Sequence, residues 1–309
     1  DEDDDFKLPE PSITRQEFFS LSNRCDPETT FSATSATGIQ FDIDNPIYQT
    51  KTSVIYIGMA NNVFYALKTT HSASILQVEH ENFQKIGEFP TIIKAFDFWM
   101  EQNQSLFLQL EYANGGSIAN SLLYFTDEDV WQLLAHISAA LHHIHQLGYI
   151  HLDISPSNIL QFIESNKTII YKLTDFGTLI ADGTYKQFCE GAGPYVSPEA
   201  IKWPHSNHPV SFPTDIWSFG AVLFEIVTKI RFPRDPAGFD AIHNGTYDLS
   251  IIPEKFDFIK SMLNINPSLR PTAHDLMEIP KVKEILNMLT DKSVQVHFDN
   301  SLSQEVNLS

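Results

Sequence analysis

Five polar residues could bind a metal ion, hold a phosphate or orient a reacting hydroxyl. Asp153 and Asn158 stand five residues apart, and Asp175 follows in an Asp-Phe-Gly tripeptide. Their carboxylate and amide oxygens are hard ligands of the kind that Mg²⁺ prefers. Upstream, Lys68 ends a strand-like run and Glu79 lies in the helix predicted next, which adds an ammonium group and a third carboxylate. Each residue is a weak signal alone, because a single Asp is usually a structural cap.

The order of the motifs is more specific than any one of them. The pieces are Tyr65-Ala-Leu-Lys68, Glu79, Tyr149–Leu160, Asp175-Phe-Gly177, Ser197-Pro-Glu199, Asp215–Gly220 and Arg270-Pro271. In this order and spacing the chain resembles the eukaryotic protein kinase family over residues 41–290. The resemblance implies an α+β, bilobal protein-kinase fold, with a small antiparallel β lobe that carries one helix and a larger, mainly helical lobe. It also implies ATP and Mg²⁺ as cofactors and a protein hydroxyl as the acceptor.

The resemblance gives each polar residue a role. Asp153 is the candidate catalytic base that orients the incoming hydroxyl. Asn158 and Asp175 are the candidate Mg²⁺ ligands. Lys68 would hold the α- and β-phosphates of ATP as a point charge, and Glu79 would steer Lys68.

Position within the predicted helix favours Glu79 over its rival Glu81. Glu79 shares a helix face with Phe83, four residues on, whereas Glu81 lacks an apolar partner at that spacing. We therefore predict that Glu79 faces inward. Three rings are expected to stack between this helix and the segment around Asp153: Phe83, Phe176 and His151.

A second group of residues matches family positions around the adenine ring. Val54, Ala66 and Leu160 would sandwich the base, and the backbone of Glu111 and Ala113 would read its edge. The alternative interpretation of the three apolar residues is plain core packing. For Glu199 and Arg270 we prefer a structural interpretation, a buried ion pair that fixes the larger lobe.

Three departures from the family pattern bear on activity. Ile47, Gln49 and Thr52 stand where glycines are expected, so the loop should lie further from the phosphates and bind ATP more weakly. Ser155 replaces a lysine, and one lost charge-stabilising donor costs on the order of 10²–10³ in rate. Leu152 replaces an arginine that pairs with a phosphorylated loop, which suggests activation without loop phosphorylation.

Four stretches look like the Wee/Myt branch of the family, which phosphorylates cyclin-dependent kinases on tyrosine and sometimes threonine. They are His151–Asp153, Glu111–Ser117, Glu190–Glu199 and Phe232–Gly245. Ala192 departs from that branch, where an Asp is expected, so the acceptor residue stays open.

The elements that must position these residues follow from periodicity. Strand-like runs cover 53–57, 63–68, 92–98 and 105–110, and the first helix covers Ser74–Ile86 with Gly87 placed to end it. Thr126 is a good N-cap for a long helix, which continues with an apolar stripe: Val130, Leu133, Leu134, Ile137, Leu141 and Ile144. Further helices are predicted over 214–228, 254–263, 272–277 and 281–290.

The predicted organisation has four parts. Residues 1–40, acidic and then rich in Ser and Thr, form an N-terminal segment that is mostly disordered, with a short ordered patch around Phe18–Leu21. Residues 41–111 form the small lobe, 112–290 the large lobe and 291–309 a tail.

Composition limits the class of protein. Acidic residues outnumber basic ones 39 to 20, and the net charge of −19 argues against binding nucleic acid. Two cysteines cannot build a disulfide framework, and the longest apolar stretch, Ala221–Val227, is too short to cross a bilayer. We expect a soluble monomer in the nucleus or cytoplasm, and interpret the chain, which lacks an initiator Met, as a fragment.

Two functional hypotheses result. The first is a slow ATP- and Mg²⁺-dependent protein kinase of the Wee/Myt type, with a cyclin-dependent kinase as the candidate protein substrate. The second is a pseudokinase, which uses the same fold to hold a partner. The missing glycines and Ser155 favour the second hypothesis, whereas the five retained polar groups favour the first.

Overall fold

The computed structural model describes residues 7–8, 10–22, 31–101, 104–183, 193–202 and 210–289 of the chain. The acidic run Asp1–Asp5, both cysteines, Ala192 and the predicted tail lie outside the described residues. In the part of the chain that is described, no helix combines the length and the apolar character needed to cross a bilayer.

The small lobe is built on an antiparallel sheet of seven strands within the described residues. The strands are β1 (Ala33–Thr34), β2 (Gln40–Phe41), β3 (Tyr48–Gln49), β4 (Ser53–Ala60), β5 (Val63–Thr70), β6 (Ala95–Met100) and β7 (Leu106–Glu111). Their order is β1-β2-β4-β5-β7-β6, with β3 paired to β4. The central hairpin turns at Asn61 and Asn62, whose φ angles of 51° and 61° suit a two-residue connection.

The N-terminal chain is more ordered than the sequence suggested. Residues 31–40 were predicted to lie outside the small lobe, which was expected to begin at Phe41, but β1 and β2 extend its sheet by pairing with each other and with β4. Burial of two side chains, rather than an alternating apolar pattern in the sequence, holds this segment on the sheet. Ile39 and Phe41 are each only 4% exposed. Gly58 permits this approach, since a Cβ there would lie 2.9 Å from the Ile39 side chain.

One helix, α2 (Ala73–Ile86), packs against the small-lobe sheet, as predicted. It ends at Gly87, whose φ of 68° is a conformation that side chains rarely adopt. The helix buries one face towards the sheet and the large lobe, made of Leu76, Glu79, Asn82, Phe83 and Ile86.

The large lobe is mainly helical. Its helices are α3 (Asp127–Gln146), α4 (Pro198–Lys202), α5 (Pro213–Thr228), α6 (Pro236–Asn244), α7 (Phe258–Met262), α8 (Ala273–Met277) and α9 (280–289). Thr126 caps α3 through a reciprocal capping box with Asp129, and the predicted apolar stripe of α3 is buried. The predicted fold class, a small antiparallel lobe with one helix and a larger helical lobe, is confirmed.

Short strands connect α3 to the centre of the molecule. They are β8 (Tyr149–Ile150), β9 (Ile159–Ile163), β10 (Ile169–Leu173) and β11 (Ile180–Ala181), which pair as β9 with β10 and β8 with β11. These strands and α6 were not predicted. The helix predicted over 254–263 is divided into a 3₁₀ turn, Glu254–Phe256, and α7.

The predicted patch around Phe18 forms a helix, α1 (Arg15–Ser22), that docks on the large lobe. The Arg15 guanidinium binds both carboxylate oxygens of Asp129 at 2.8 Å. Phe18 stacks on Tyr124 with ring centroids 4.5 Å apart. Because β1 belongs to the small lobe, the chain around α1 contacts one lobe and then enters the other.

Candidate active site

A buried ion pair joins the small-lobe sheet to α2. Lys68, on β5, places its Nζ 2.7 Å from one carboxylate oxygen of Glu79 and 2.9 Å from the other. The two side chains are 8% and 1% exposed. The rival residue, Glu81, is exposed and accepts a hydrogen bond from Gln77. The predicted choice of Glu79 as the partner of Lys68 therefore agrees with the geometry.

Asp175 extends this pair into a three-residue cluster. Its Oδ2 lies 3.3 Å from Lys68 Nζ, and its side chain is 39% exposed. Asp175 adopts a φ of 63°, and its other oxygen accepts the Gly177 N–H at 3.4 Å. An aspartate tolerates this left-handed conformation better than most residues do, and it turns the chain directly after β10.

Charge compensation shows in the pKa values of this cluster. Burial alone would lower the pKa of Lys68, but the carboxylates of Glu79 and Asp175 outweigh it and hold the pKa above its ordinary value. Burial would raise the pKa of Asp175, but Lys68 and His151 reverse that effect and lower it. Asp175 is therefore a carboxylate at neutral pH, which is the form that binds cations.

Asp153 and Asn158 lie together in the loop between β8 and β9. The Asn158 amide donates to the Asp153 carboxylate and to the Asp153 carbonyl, both at 2.8 Å. Burial and the charge of Asp175 raise the pKa of Asp153, against the opposing effects of His151 and the Asn158 hydrogen bond. Since Asn158 uses its NH₂ group in this way, its amide oxygen is the atom left to act as a ligand.

The residues present fit a magnesium ion. No hydrogen bond from any described residue reaches the Asn158 side-chain oxygen, and the Asp175 carboxylate is partly exposed. A carboxylate and an amide oxygen are the hard donors that Mg²⁺ takes in addition to water and phosphate oxygens.

The predicted aromatic column connects these groups. Phe176 meets Phe83 edge to face at a centroid distance of 5.1 Å and meets His151 at 5.0 Å. Asn82 adds a contact that the sequence did not suggest, because its amide donates to the Phe176 carbonyl at 2.7 Å. The only sequence signal for Asn82 is its position three residues after Glu79, on the same helix face.

Asp215 is a second residue whose role was missed. Its buried carboxylate accepts the backbone N–H groups of His151 and Leu152, each at 2.9 Å, and contacts His145 at the same distance. Leu152 has a φ of 68°, so Asp215 holds the loop before Asp153 in a conformation that a leucine would otherwise avoid. The available signals were its place at the start of the Asp215–Gly220 motif and its charge in the first turn of the otherwise apolar α5.

The apolar residues predicted to flank adenine lie on three strands. Val54 is on β4, Ala66 on β5 and Leu160 on β9. Ala66 pairs with Leu110 in the sheet, directly before the segment between the lobes. Leu160 is bridged to Ser117, directly after that segment. Ala66 and Leu160 also pack on the main hydrophobic core, so core packing contributes to their positions.

In the segment between the lobes, the Glu111 side chain forms an ion pair, whereas the backbone groups of Glu111 and Ala113 are the candidates for contact with a base. The Glu111 carboxylate is bound by Lys172 at 2.7 Å, so this side chain serves a structural ion pair. The Glu111 N–H donates to the Lys94 carbonyl at 2.9 Å, and the Ala113 carbonyl accepts from Gly116 at 3.0 Å. Any reading of a base by Glu111 and Ala113 must therefore use the Glu111 carbonyl and the Ala113 N–H.

The loop that lacks glycines is a compact polar turn. Gln49 pairs with β4, and the Thr50 hydroxyl accepts the N–H groups of Thr52 and Ser53 at 3.2 and 3.0 Å. None of residues 46–53 has a positive φ. Ile47, at another expected glycine position, is 49% exposed. The turn therefore presents side chains where a glycine loop would present bare backbone.

The two departures near Asp153 differ in their surroundings. Leu152 is 7% exposed and packs in a small apolar cluster with Ile150, Ala200 and Val210, so it offers no cation to a phosphate. Ser155 is half-buried, and its hydroxyl does not cap the 3₁₀ turn that follows it. Ser155 supplies no positive charge beside Asp153.

Glu199 and Arg270 form the predicted structural pair. The guanidinium contacts the two carboxylate oxygens at 2.6 and 2.8 Å, and the Arg270 side chain is fully buried. Arg270 also donates to the carbonyls of Asn264 and Pro213. The pair joins α4 to the start of α5 and to the chain before α8.

Comparison with known proteins gives one family and many relatives. The protein kinase domain model matches residues 49–281, which is most of the chain. The mitosis inhibitor protein kinase mik1 of Schizosaccharomyces pombe is 26% identical over 303 residues, covering 86% of this chain and 50% of that protein. The membrane-associated tyrosine- and threonine-specific cdc2-inhibitory kinase wee-1.1 of Caenorhabditis elegans is 31% identical over 213 residues, covering 64% of this chain and 43% of that protein.

Similarity is not confined to inhibitory kinases of mitosis. Serine/threonine-protein kinase 17A of Oryctolagus cuniculus is 29% identical over 245 residues, covering 74% of this chain and 57% of that protein. The chain spans about half the length of these curated relatives.

Proposed function

Because the chain belongs to the protein kinase family, we propose that it transfers the γ-phosphoryl group of ATP to a hydroxyl group of a protein in a Mg²⁺-dependent reaction. One observation carries the proposal: Lys68 is ion-paired with Glu79 at 2.7 Å while Asp175 lies 3.3 Å from the same ammonium group. A binding module has no physical need for this buried arrangement of charges at the junction of two lobes.

Each side chain has a task in this reaction. Lys68 would hold the α- and β-phosphates, with Glu79 fixing its direction. Asp153 would orient the acceptor hydroxyl and accept its proton, and its raised pKa makes it a stronger base than an ordinary aspartate. Mg²⁺, when bound, would be held by Asp175 and Asn158 and would neutralise phosphate charge.

The adenine contacts are part of the same proposal. Val54, Ala66 and Leu160 would flank the base, since Ala66 and Leu160 are tied to the two ends of the segment between the lobes. The Glu111 carbonyl and the Ala113 N–H would bind its edge. The Glu111 side chain has no part in this, because it is bound to Lys172.

For the substrate we propose a cyclin-dependent kinase and an inhibitory, Wee/Myt-like role in the cell cycle. The support is similarity in sequence to mik1 and wee-1.1, at modest identity. Tyrosine and threonine are both candidate acceptors. We further propose that the protein acts as a monomer in the nucleus or cytoplasm.

A second candidate, a pseudokinase that holds a partner without turnover, is favoured by the polar turn at 47–52 and by Ser155. Transfer of radiolabel from γ-labelled ATP to a purified cyclin-dependent kinase separates the two. The wild-type chain should label the substrate, and Asp153→Asn should reduce the rate by about 10²-fold or more. Equal labelling by both proteins would remove Asp153 from the mechanism, and no labelling by either would favour the pseudokinase.

A further inference from the structure

A cavity of about 410 Å³ opens on the large lobe beside the candidate catalytic loop. Two parts of the chain supply most of its polar lining. The candidate catalytic loop contributes Pro156 and Ser157, and the end of α5 with the chain after it contributes Glu225, Arg231 and Arg234. Pro156 follows Asp153 by three residues, so the two Cα atoms lie within about 11 Å of each other. A peptide whose acceptor hydroxyl lies at Asp153 would therefore have its neighbouring residues within reach of this cavity.

The one carboxylate among the lining residues is already neutralised. Glu225 is 1% exposed and accepts hydrogen bonds from the Phe232 N–H at 2.7 Å and the Tyr195 hydroxyl at 2.9 Å. Arg234 pairs with Glu225 at 3.1 Å and also donates to the Tyr195 hydroxyl. Both oxygens of the Glu225 carboxylate therefore already have hydrogen-bond partners within the protein.

Arg231 supplies a positive charge that the cavity does not compensate. In the described part of the chain, no carboxylate lies within 4.0 Å of its guanidinium. Lys229 lies nearby as well, since its ammonium group binds the carbonyl of Leu122, another lining residue, at 3.0 Å. Asp127 and Asp129 act on Lys229, and Arg234 is paired with Glu225, so Arg231 is the uncompensated cation among the described lining residues.

The remaining walls suit a side chain with a short apolar stem. Leu8, Leu123 and Pro194 line the cavity together with the charged residues. An arginine beside such walls suits a carboxylate carried on methylene groups, because its planar fork matches carboxylate geometry.

We propose that this cavity, which we name the Arg231 pocket, binds an acidic side chain of the protein substrate within about four residues of the acceptor hydroxyl. The inference rests on the proposed kinase function and specifies the substrate class of that site. Arg231 makes the contact, and Arg234 acts as a positioning residue by neutralising Glu225. An unpaired basic side chain at the same substrate position is disfavoured.

The test is a set of synthetic peptides with one Tyr or one Thr acceptor, in which Glu, Gln or Lys is placed in turn at each of the four positions on either side. For the wild-type chain we expect one position at which Glu raises kcat/KM about fivefold or more over Gln, with Lys lowest. In Arg231→Gln, the kcat/KM values of the Glu and Gln peptides should lie within about twofold of each other. The preference should also weaken as salt rises.

Lys167→Gln is the matched control, because Lys167 is exposed in the turn between β9 and β10 and the change removes the same charge. It should keep the wild-type preference for Glu. The inference is overturned if no position prefers Glu, or if the preference survives Arg231→Gln.

Binding of the same peptides, measured by fluorescence anisotropy, separates this inference from the proposed function. A chain that binds the Glu peptide more tightly than the Gln peptide but phosphorylates neither would retain the pocket and lose the enzyme. A chain that phosphorylates all peptides without preference would retain the enzyme and lose the pocket.

Discussion

Ser155 stands two residues after Asp153 without a positive charge, and in the proposed reaction it is the residue expected to slow phosphoryl transfer most. Its side chain is half-buried and does not cap the following turn, so a lysine there should not unfold the loop. We predict that Ser155→Lys raises kcat by about tenfold or more, because a donor for developing phosphoryl charge is restored. The measurement is the initial rate at saturating ATP and substrate.

Ser165→Lys serves as its control, since Ser165 is exposed in a turn of the large lobe and gains the same charge. That variant should leave kcat unchanged. An unchanged kcat in Ser155→Lys as well would argue against the idea that the missing lysine limits the rate.

Glu199 links stability to pH. Burial would raise the pKa of Glu199, but the Arg270 hydrogen bonds and charge reverse that effect and hold the pKa below its ordinary value of about 4.5. Stabilisation by the pair is therefore fully present above pH about 4.5 and is lost as the pH falls through the lowered pKa. We predict that Glu199→Gln lowers the free energy of unfolding by about 3 kcal/mol at neutral pH.

Urea unfolding from pH 7 down to pH 3.5 checks this prediction. The difference between wild type and Glu199→Gln should shrink as the solution becomes acidic. A difference that stays constant over that range would mean that the charge of Glu199 does not stabilise the fold.

At the scale of residues, local motifs were enough to predict most of the candidate site. Lys68, Glu79 and Asp175 were predicted from motifs that resemble the kinase family, and the structure brings both carboxylates within hydrogen-bonding distance of the Lys68 ammonium group. Asn82 belongs to no motif, and Asp215 was noted only as the first residue of the Asp215–Gly220 motif, without a role. The contacts that give them their roles join residues 94 and 64 positions apart.

The polar turn at 47–52 is the element that, in the proposed ATP site, would set access to the phosphates. We predict that the double variant Gln49→Gly and Thr52→Gly lowers the Kd for ATP several-fold, because glycine permits a closer approach of backbone N–H groups to phosphate. Isothermal titration calorimetry with ATP in the presence of Mg²⁺ measures this Kd. The loss of side chains from β3 and its turn should cost about 1 kcal/mol of stability.

A glycine substitution elsewhere in the small lobe provides the comparison. Val63→Gly alters the β4–β5 hairpin, away from the turn at 47–52, and should weaken stability without tightening ATP binding. Equal Kd values for wild type and the Gln49, Thr52 double variant would mean that the turn does not contact the phosphates.

At the scale of elements, length decided what could be predicted. The twenty residues of α3 show a full apolar stripe that begins after Thr126, and both the stripe and the N-cap were predicted, whereas the reciprocal capping box with Asp129 was not. The two-residue strands β1, β2, β8 and β11 are too short for any alternation, and their positions depend on partners distant in the chain. Burial of Ile39 and Phe41 beneath the sheet could not be derived from the Ser/Thr-rich sequence around them.

The N-terminal segment ties the two lobes into one molecule, because α1 docks on the large lobe while β1 enters the small-lobe sheet. We predict that Arg15→Ala lowers the free energy of unfolding by about 1 kcal/mol, since Arg15 is 43% exposed and solvent weakens its bidentate pair with Asp129. Urea unfolding at neutral pH measures the loss.

Lys281→Ala is the control for that variant. Lys281, on α9, forms an exposed ion pair at 3.5 Å with Glu128 of α3, the helix that also carries Asp129. It should cost less than about 0.5 kcal/mol. A loss in Arg15→Ala no larger than the loss in Lys281→Ala would show that docking of α1 adds nothing to the stability of the whole.

The central claim is that Asp175, Asn158 and Lys68 together hold ATP and Mg²⁺ between the lobes. Thermal unfolding of the whole chain with ATP, with and without Mg²⁺, tests it most directly, because a ligand at a hundred times its Kd adds about 2.7 kcal/mol to the folded state. We predict a melting temperature that rises further with Mg²⁺ than without it, and loss of that Mg²⁺-dependent part in Asp175→Asn. Identical shifts with and without Mg²⁺, or an unchanged Mg²⁺ effect in Asp175→Asn, would contradict the account.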